Sequence, residues 1–297
     1  MAPLPPHRVP LAIEIYSTIF QHVATGDLTT LCRVSKMFQK EAERILYCFV
    51  DIVHVTDGER LMSWCHAIAE CPPRAFLVRS LRLPGSFRPD LAHFSSQLVQ
   101  QAIGQALRTF VNLEELFVRS HSNNKSDTSP TLLLSTFDGC QFSLSALSGD
   151  LPGFTSENVW KLLSVHPKIR YWVASDTFMT SISSIPLEVL PNVSDVVFVC
   201  PKMTKYLVGR PLKRLVWVFQ SFLHTRSEGT EAIVPLKFFK HSLTDLHYTY
   251  LGKQDSDWTY ADIIRCIATH APNLKCLVIS SWHLVKSTVG SISPSVF

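Results

Sequence analysis

The chain has 297 residues, of which 46% are hydrophobic and 18% are charged, and its formal net charge is +4. This composition excludes a disordered chain, and the absence of a long Lys or Arg run argues against a nucleic-acid or membrane surface as main partner. No apolar run approaches the roughly 18 residues that span a bilayer. The N-terminal MAPLPPHRVP also lacks the apolar core of a signal peptide. We therefore expect an ordered protein of the cytoplasm or the nucleus.

Residues 1–8 are predicted to form a loose, Pro-rich leader, and residues 9–52 a unit of three short helices. The apolar residues of the first helix recur at helical spacing: Ile15, Ile19, Phe20 and Val23. Gly26 is predicted to end this helix, and Asp27 to cap the second. A third helix is predicted over residues 40–47. A unit of about forty residues buries too little surface to be stable alone, so it must pack on the rest of the chain or on a partner.

This stretch resembles an F-box of the fungal type. The family pattern has Leu-Pro, an acidic-apolar pair, Ile-Leu/Phe, Asp-Leu, Val-Ser/Cys-Arg/Lys and an aromatic residue. The matching residues here are Val9-Pro10, Glu14-Ile15, Ile19-Phe20, Asp27-Leu28, Val34-Ser35-Lys36 and Phe38, with Tyr47 and Val50-Asp51-Ile52 at the end. One departure is that Pro10 stands four residues before Glu14, where the family places its proline two residues before. The alternative is an N-terminal helical cap on a globular protein.

The resemblance implies that residues 9–50 dock on a Skp-family adaptor of a cullin-RING ubiquitin ligase. The adaptor-binding candidates carried over are Pro10, Ile15, Ile19, Phe20, Val23, Leu28, Leu31, Val34 and Phe38. Some of these would contact the adaptor and others would hold the three helices together. The sequence does not separate the two groups.

A helix is predicted from about Asp57 to Glu70, and after it a short apolar pattern recurs. Seven segments carry apolar residues at the first, fourth and usually sixth positions, and they begin at Val78, Leu113, Ile169, Val193, Leu212, Leu243 and Leu274. This is the L-x-x-L-x-L core of a leucine-rich repeat. A poorer eighth copy, FSLSAL, begins at Phe142. Because the spacing is irregular and the usual asparagine is missing, we predict an irregular leucine-rich-repeat-like α/β solenoid with a parallel sheet over residues 53–287.

Helices are predicted between these segments over residues 91–110, 156–165 and 257–270. Asp257 is expected to cap the last of them, in preference to serving as a metal ligand or a catalytic acid. Polar linkers are predicted at 120–130 and 225–231, and residues 288–297 are expected to form a C-terminal tail.

The chain carries none of the common catalytic motifs, and its 12 His are scattered without metal-ligand spacing. Its 8 Cys include no C-x-x-C pair and are expected to be reduced, buried thiols. We therefore expect no metal, no cofactor and no enzymatic activity.

The open face of the predicted sheet supplies candidates for binding a target protein. Strand positions three, five and seven point to this face, because side chains alternate along a strand. The candidates are Phe117, Arg119, Tyr171, Val173, Val197, Val216, His247 and Val278. Exposed apolar patches of this kind mark interfaces. The alternatives are that they are β-forming residues of a sheet apolar on both faces, or that the C-terminal tail covers them.

The function that the resemblance implies is that of a non-catalytic substrate receptor of a Skp–cullin–F-box ubiquitin ligase, with no nucleic-acid or membrane partner. The alternative is a leucine-rich-repeat-like interaction scaffold without a ligase role.

Overall fold

A computed structural model of the chain describes residues 12–55, 57–85, 96–119, 132–149, 156–174, 185–198, 201–219, 226–251 and 259–282. Its centre is one sheet of nine strands in which each strand lies parallel to the next one along the chain. The strands are β1 (Phe49–Asp51), β2 (Ser80–Pro84), β3 (Glu115–Arg119), β4 (Ala146–Gly149), β5 (Tyr171–Ala174), β6 (Asp195–Phe198), β7 (Arg214–Phe219), β8 (Asp245–Leu251) and β9 (Cys276–Trp282). The predicted α/β class with a parallel sheet is confirmed.

Helices precede the sheet and connect its strands. They are α1 (Ile13–Phe20), α2 (Thr25–Leu31), α3 (Lys36–Cys48), α4 (Gly58–Ala69), α5 (Pro72–Ala75), α6 (Ser96–Thr109), α7 (Ser156–Ser164), α8 (Arg226–Ile233) and α9 (Tyr260–His270). Within the described residues, the connections also contain the 3₁₀ helices Leu134–Phe137, Pro201–Leu207 and Val234–Phe239, the last of which directly follows α8. None of the described helices is both long enough and apolar enough to cross a membrane.

Two rows of side chains from the strands form the main core. The first row contains Val50, Leu81, Leu116, Leu147, Trp172, Val196, Leu215 and Leu246, which are paired in register and buried. Two residues further along, the second row runs from Leu83 through Val118 and Phe198 to Tyr248. Apolar faces of the connecting helices cover both rows, for example Leu61 of α4, Ile103 of α6 and Ile267 of α9. The seven predicted segments therefore place their apolar residues as expected from side-chain alternation.

The amino ends of the strands are joined by a second ladder that repeats from unit to unit. The carbonyl of Arg170 accepts both the Ser194 and the Asp195 backbone N–H, each at 2.9 Å. The carbonyl of Lys213 accepts those of Thr244 and Asp245 in the same way, at 2.8 and 3.0 Å. Each of these carbonyls belongs to the second residue of the predicted apolar segment. The repetition shows that the segments are structurally equivalent.

Asparagines in the turns before the strands reinforce this ladder. The side-chain amide of Asn112 donates to the Phe76 carbonyl at 2.8 Å, and that of Asn273 to the Lys240 carbonyl at 2.9 Å. Asn192 does the same with the Pro167 carbonyl at 2.9 Å. These three asparagines therefore join the turn before one strand to the turn before the preceding strand.

Several local predictions are wrong. Gly26 lies inside α2, and Asp27 lies in its first turn, because that helix begins at Thr25 after an extended Ala24. Helix α3 begins at Lys36, after the N-cap Ser35, and not at residue 40, so Phe38 belongs to it. The predicted linker 225–231 is largely helix α8. Helix α9 begins at Tyr260 with Thr259 and Asp262 in a capping box, so the cap is not Asp257, which lies outside the described residues.

The frame of the eighth apolar segment also differs from the prediction. Strand β4 pairs with β3 and β5 so that Leu147 lies beside Leu116 and Trp172. The segment therefore begins at Leu144, two residues after the predicted start at Phe142. The wide interval between Leu113 and Ile169 contains two units, as predicted. The leader 1–8, the loop 120–130 and the tail 288–297 lie outside the described residues.

Arg210 is a buried cation that ties the turn before β6 to the turn before β7. It is 5% exposed, and its guanidinium donates to the carbonyls of Pro186 at 2.6 Å, Val189 at 2.8 Å and Tyr206 at 3.0 Å. Burial lowers the pKa of Arg210, but an arginine stays protonated in proteins. The carbonyl cage therefore replaces the water that the charge has lost.

We predict that Arg210→Met lowers the free energy of unfolding by about 3 kcal/mol or more, because several buried carbonyls lose their donor. Denaturant titration measures this change. Arg265→Met is the matched control, since Arg265 is 74% exposed in its side chain and pairs with Asp262 of its own helix. Equal, small losses in the two variants would contradict the role of the cage.

His166 is a buried neutral histidine. It is 4% exposed, it stacks on Phe142 with ring centroids 5.5 Å apart, and its Nδ1 has no hydrogen-bond partner among the described residues. Burial lowers its pKa to about 4. The unfolded chain, with an ordinary histidine pKa of about 6.5, binds this proton more readily between pH 6.5 and pH 4. The stability contributed by neutral His166 is therefore lost as the pH falls through this range.

We predict that His166→Phe removes part of the acid sensitivity of the fold, at most about 3 kcal/mol between pH 7 and pH 4. The measurement is the free energy of unfolding against pH for the wild type and the variant. The exposed His241 supplies the control, His241→Phe, which should leave the wild-type pH profile unchanged. Parallel profiles for wild type and His166→Phe would show that this proton is not linked to folding.

Candidate protein-docking surfaces

The first three helices have a hydrophobic cluster of their own, separate from the main core. Its buried members are Phe20, Leu28 and Ala42. Around them the rings of Tyr16 and Phe20 lie 5.1 and 5.2 Å from the ring of Phe38. Aromatic pairs at this distance pack favourably in tilted or edge-on arrangements. The three buried residues Phe20, Leu28 and Ala42 come one from each helix and form the centre of the unit.

The structure divides the adaptor-binding candidates into two groups. Phe20 and Leu28 are buried, and Val23, Leu31 and Phe38 pack partly buried around them, so these five hold the helices together. The exposed candidates are Ile15, Ile19 and Val34, with exposed fractions of 45%, 47% and 61%. Pro10 lies outside the described residues. Ile15 and Ile19 are four residues apart and therefore share one face of α1.

Two further apolar residues of the unit are exposed and were not among the candidates. They are Ile13 at 46% and Met37 at 41%. Met37 interrupts the helical spacing of the buried residues in α3, which is the signal that could have identified it. With Ile15, Ile19 and Val34, these two residues make five large exposed apolar side chains in the described part of the helical unit α1–α3.

Polar contacts fix the geometry of the unit and connect it to the sheet. Arg44 donates to the buried Glu41 at 2.6 Å and to Ser17 Oγ at 2.7 Å, which links α3 to α1. This hydrogen bond from Arg44 holds the pKa of Glu41 below its usual range. Arg74 of α5 donates to Glu43 Oε1 at 2.9 Å and lies over the ring of Tyr47 at 5.4 Å.

The second candidate surface is a row across the open face of the sheet. Its members are paired in register from β1 to β9: Asp51, Arg82, Phe117, Ser148, Val173, Val197, Val216, His247 and Val278. Six of the target-binding candidates thus lie in one row, in which Ser148 stands between Phe117 and Val173. Apart from Asp51 and Val278, which are exposed, the members are half-buried. Adjacent members are separated by about 4.8 Å, the spacing of strands in a sheet.

The two ends of this row differ chemically. At the β1 end, Arg82 lies 4.8 Å from the ring of Phe49 and 5.4 Å from that of Phe117, and it pairs with Asp51 at 3.4 Å. Towards the middle the row is formed by valines. Sequence reasoning did not name Arg82 as a candidate, although it is the fifth residue of the segment that begins at Val78 and side-chain alternation places it in this row with Phe117.

The remaining two target-binding candidates flank the row. Tyr171 begins β5 beside Asp195, which pairs with Arg214 at 2.8 Å. Burial raises the pKa of Tyr171. Arg119 is exposed at the end of β3, where it pairs with Pro84. It lies two residues after Phe117 and therefore on the same face of the sheet. The expectation that the C-terminal tail covers this face concerns residues 288–297, which lie outside the described residues.

Groups that could support chemistry are sparse in the ranges that the structure describes. No cluster of three or more His, Cys, Asp or Glu could hold a metal ion there. Burial raises the pKa of Cys65 to about 12 and that of Cys140 to about 11, so both thiols are protonated at neutral pH and weakly nucleophilic. A cavity of about 400 Å³ between α6 and the first 3₁₀ helix is lined mainly by amides and hydroxyls, among them Gln97, Gln101 and Thr136.

Phe20→Ala and Ile19→Ala should have very different effects on the stability of the helical unit if the two groups of candidates are assigned correctly. We predict that Phe20→Ala destabilises the helical unit by about 3–5 kcal/mol, because it leaves a cavity in a small core. Ile19→Ala should change it by less than about 0.5 kcal/mol, as expected for a surface residue. Hydrogen exchange of the α1–α3 amides measures both. A comparable loss of protection in both variants would contradict this division.

Comparison with protein-family models and with curated protein sequences finds no match to this chain. Its function is therefore inferred from the two surfaces and from the residues that form them.

Proposed function

We propose that the protein is a non-catalytic substrate receptor of a Skp–cullin–F-box ubiquitin ligase. The helical unit α1–α3 acts as an F-box and binds a Skp-family adaptor. The sheet and its helices act as a leucine-rich-repeat-like solenoid whose open face binds the target protein.

The observation that carries the proposal is the exposure of Ile15 and Ile19 on one face of α1. The small core of the unit uses Phe20, Leu28 and Ala42, and the main core uses other residues. Ile15 and Ile19 therefore belong to neither core. Each isoleucine still exposes nearly half of its surface, so a partner with an apolar groove would gain free energy, up to about 1 kcal/mol for each, by burying the remainder.

The attachment of the unit to the sheet favours a receptor over an isolated binding module. Helix α3 ends at Cys48 and runs directly into β1, whose Val50 pairs with Leu81 of β2. The pair between Glu43 and Arg74 holds the same helix to α5. A receptor works by proximity, since it raises the effective concentration of target lysines near the ubiquitin-charged carrier. This requires a rigid connection between its two docking surfaces.

The runner-up is a protein-interaction scaffold without a ligase role. In that case the exposed face of α1 would bind a partner other than a Skp-family adaptor, or none. The half-buried valine row on the sheet supports a protein partner in both proposals and does not distinguish between them.

Ile19→Asp distinguishes them, because it places a charge in an apolar interface without touching either core. Co-expression with a Skp-family adaptor followed by size-exclusion chromatography should give a one-to-one complex for the wild type and none for Ile19→Asp. Ile264→Asp is the matched control, since Ile264 on α9 is 47% exposed, as is Ile19. It should retain the complex.

Both variants should keep the wild-type thermal unfolding midpoint within about 2 °C, as expected for surface positions. A folded wild type that forms no complex would leave the scaffold as the better proposal. A lowered midpoint for Ile19→Asp would show that Ile19 belongs to the core, which would contradict its assignment to the docking surface.

A further inference from the structure

The amino ends of strands β5 to β9 lie together along one edge of the sheet. The carboxyl ends, such as Ala174 of β5 and Phe198 of β6, lie at the opposite edge. Five short segments form this edge: 165–170, 190–194, 208–213, 240–244 and 271–275. The carbonyl ladder joins them, with Lys213 N–H bound to the Ser194 carbonyl at 2.7 Å and Lys275 N–H to the Thr244 carbonyl at 2.8 Å. The amide of Asn273 bound to the Lys240 carbonyl adds the preceding turn to the same edge.

This edge concentrates positive charge that is scattered in the sequence. Its five exposed cations, here called the basic edge, are Lys168, Arg170, Lys213, Lys240 and Lys275. The five segments contain no Asp or Glu. Within the part of the chain that the structure describes, none of the five cations forms a salt bridge. The net charge of the whole chain is only +4, so the edge holds a local excess.

The acidic residues nearest along the chain are engaged elsewhere. Asp195 pairs with Arg214 at 2.8 Å and accepts the Ser194 hydroxyl at 2.6 Å. Asp245 accepts the Thr244 hydroxyl at 2.6 Å. Burial lowers the pKa of Arg210, and the charge of Glu188 partly opposes this lowering. Among the described residues, none of these three carboxylates forms a salt bridge with a cation of the basic edge.

The ladder also sets the spacing of the cations. Arg170, Lys213 and Lys275 immediately precede β5, β7 and β9, so they recur at every second strand. Strands lie about 4.8 Å apart, which puts these cations about 10 Å from one another along the edge. A polypeptide in the extended polyproline II conformation advances about 3.1 Å per residue with three residues per turn, so every third side chain lies on one face of the chain and meets the next cation.

We propose that the basic edge binds an extended acidic polypeptide segment with carboxylates at about every third residue. Charge complementarity of this kind provides specificity and a fast association rate. A single-stranded nucleic acid is the less favoured ligand, because the five segments contain no Phe, Tyr or Trp on which a base could stack. The proposal does not depend on adaptor docking, since the edge lies on the far strands of the sheet.

The test is fluorescence anisotropy with the full chain and a fluorescein-labelled peptide of about twelve residues, with Glu at every third position between Gly and Ser. We expect binding that weakens as the salt concentration rises, because exposed charges are screened. The double variant Lys213→Glu and Lys275→Glu should weaken binding about tenfold or more, as reversed charges oppose the peptide. Both side chains are exposed, so the variant should fold.

The matched control is Lys40→Glu with Lys161→Glu, two exposed lysines on α3 and α7 that change the net charge equally. It should bind the peptide within about twofold of the wild type, since the basic edge is intact. Absence of binding by the wild type, or an equal loss in both double variants, would overturn the proposal. Binding of an oligothymidylate in place of the peptide would overturn it in favour of nucleic acid.

Discussion

The register of the parallel strands is the constraint on which the rest of this structure depends. Because side chains alternate along a strand, one register places Leu81, Leu116 and Leu246 in the core and the row from Arg82 to Val278 on the open face. A slip of one residue in β7 or β8 would bury Val216 or His247 and expose Leu215 or Leu246. The carbonyl ladder at the amino ends opposes such a slip, since it repeats the same two hydrogen bonds at successive strands. Core, open face and basic edge are thus three consequences of one arrangement.

The helical unit at the amino end depends on the sheet in a different way. Its buried core is small, and its helices α1 and α2 have no side-chain N-caps. Stability must therefore come from α3, which has a Ser35 cap, the bidentate pair of Glu41 and Arg44, and a direct continuation into β1. A unit stabilised mainly through one helix can keep the outer face of α1 free. Ile15 and Ile19 lie there and belong to neither buried core, which is why their exposure bears on function.

The parts of the fold that follow from side-chain periodicity could be predicted from the sequence. Seven strands begin two residues after the predicted segment starts, and Phe117, Val173, Val197, Val216, His247 and Val278 lie in one row, because alternation fixes which residues share a face. The frame of β4 was wrong since Phe142 and Leu144 are both apolar and both buried, and only pairing with Leu116 decides between them. Helix α8 was missed because its sequence is polar. Its buried residues, Gly229, Ala232 and Ile233, show that tertiary packing stabilises it against weak propensity.

The candidate sites, too, could be predicted only where they depend on the period of a single helix. Helical spacing identifies Ile15, Ile19 and Phe20 as apolar positions of one helix, but only the packing of three helices shows that Phe20 faces inward and the isoleucines outward. The basic edge has no counterpart in the sequence at all, since Arg170, Lys213 and Lys275 are separated by more than forty residues at each step. Parallel strands bring such distant residues to one edge because each crossover returns the chain to the same side of the sheet. A surface assembled in this way appears only when the strand order and register are known, whereas a surface on one helix can be predicted from its period.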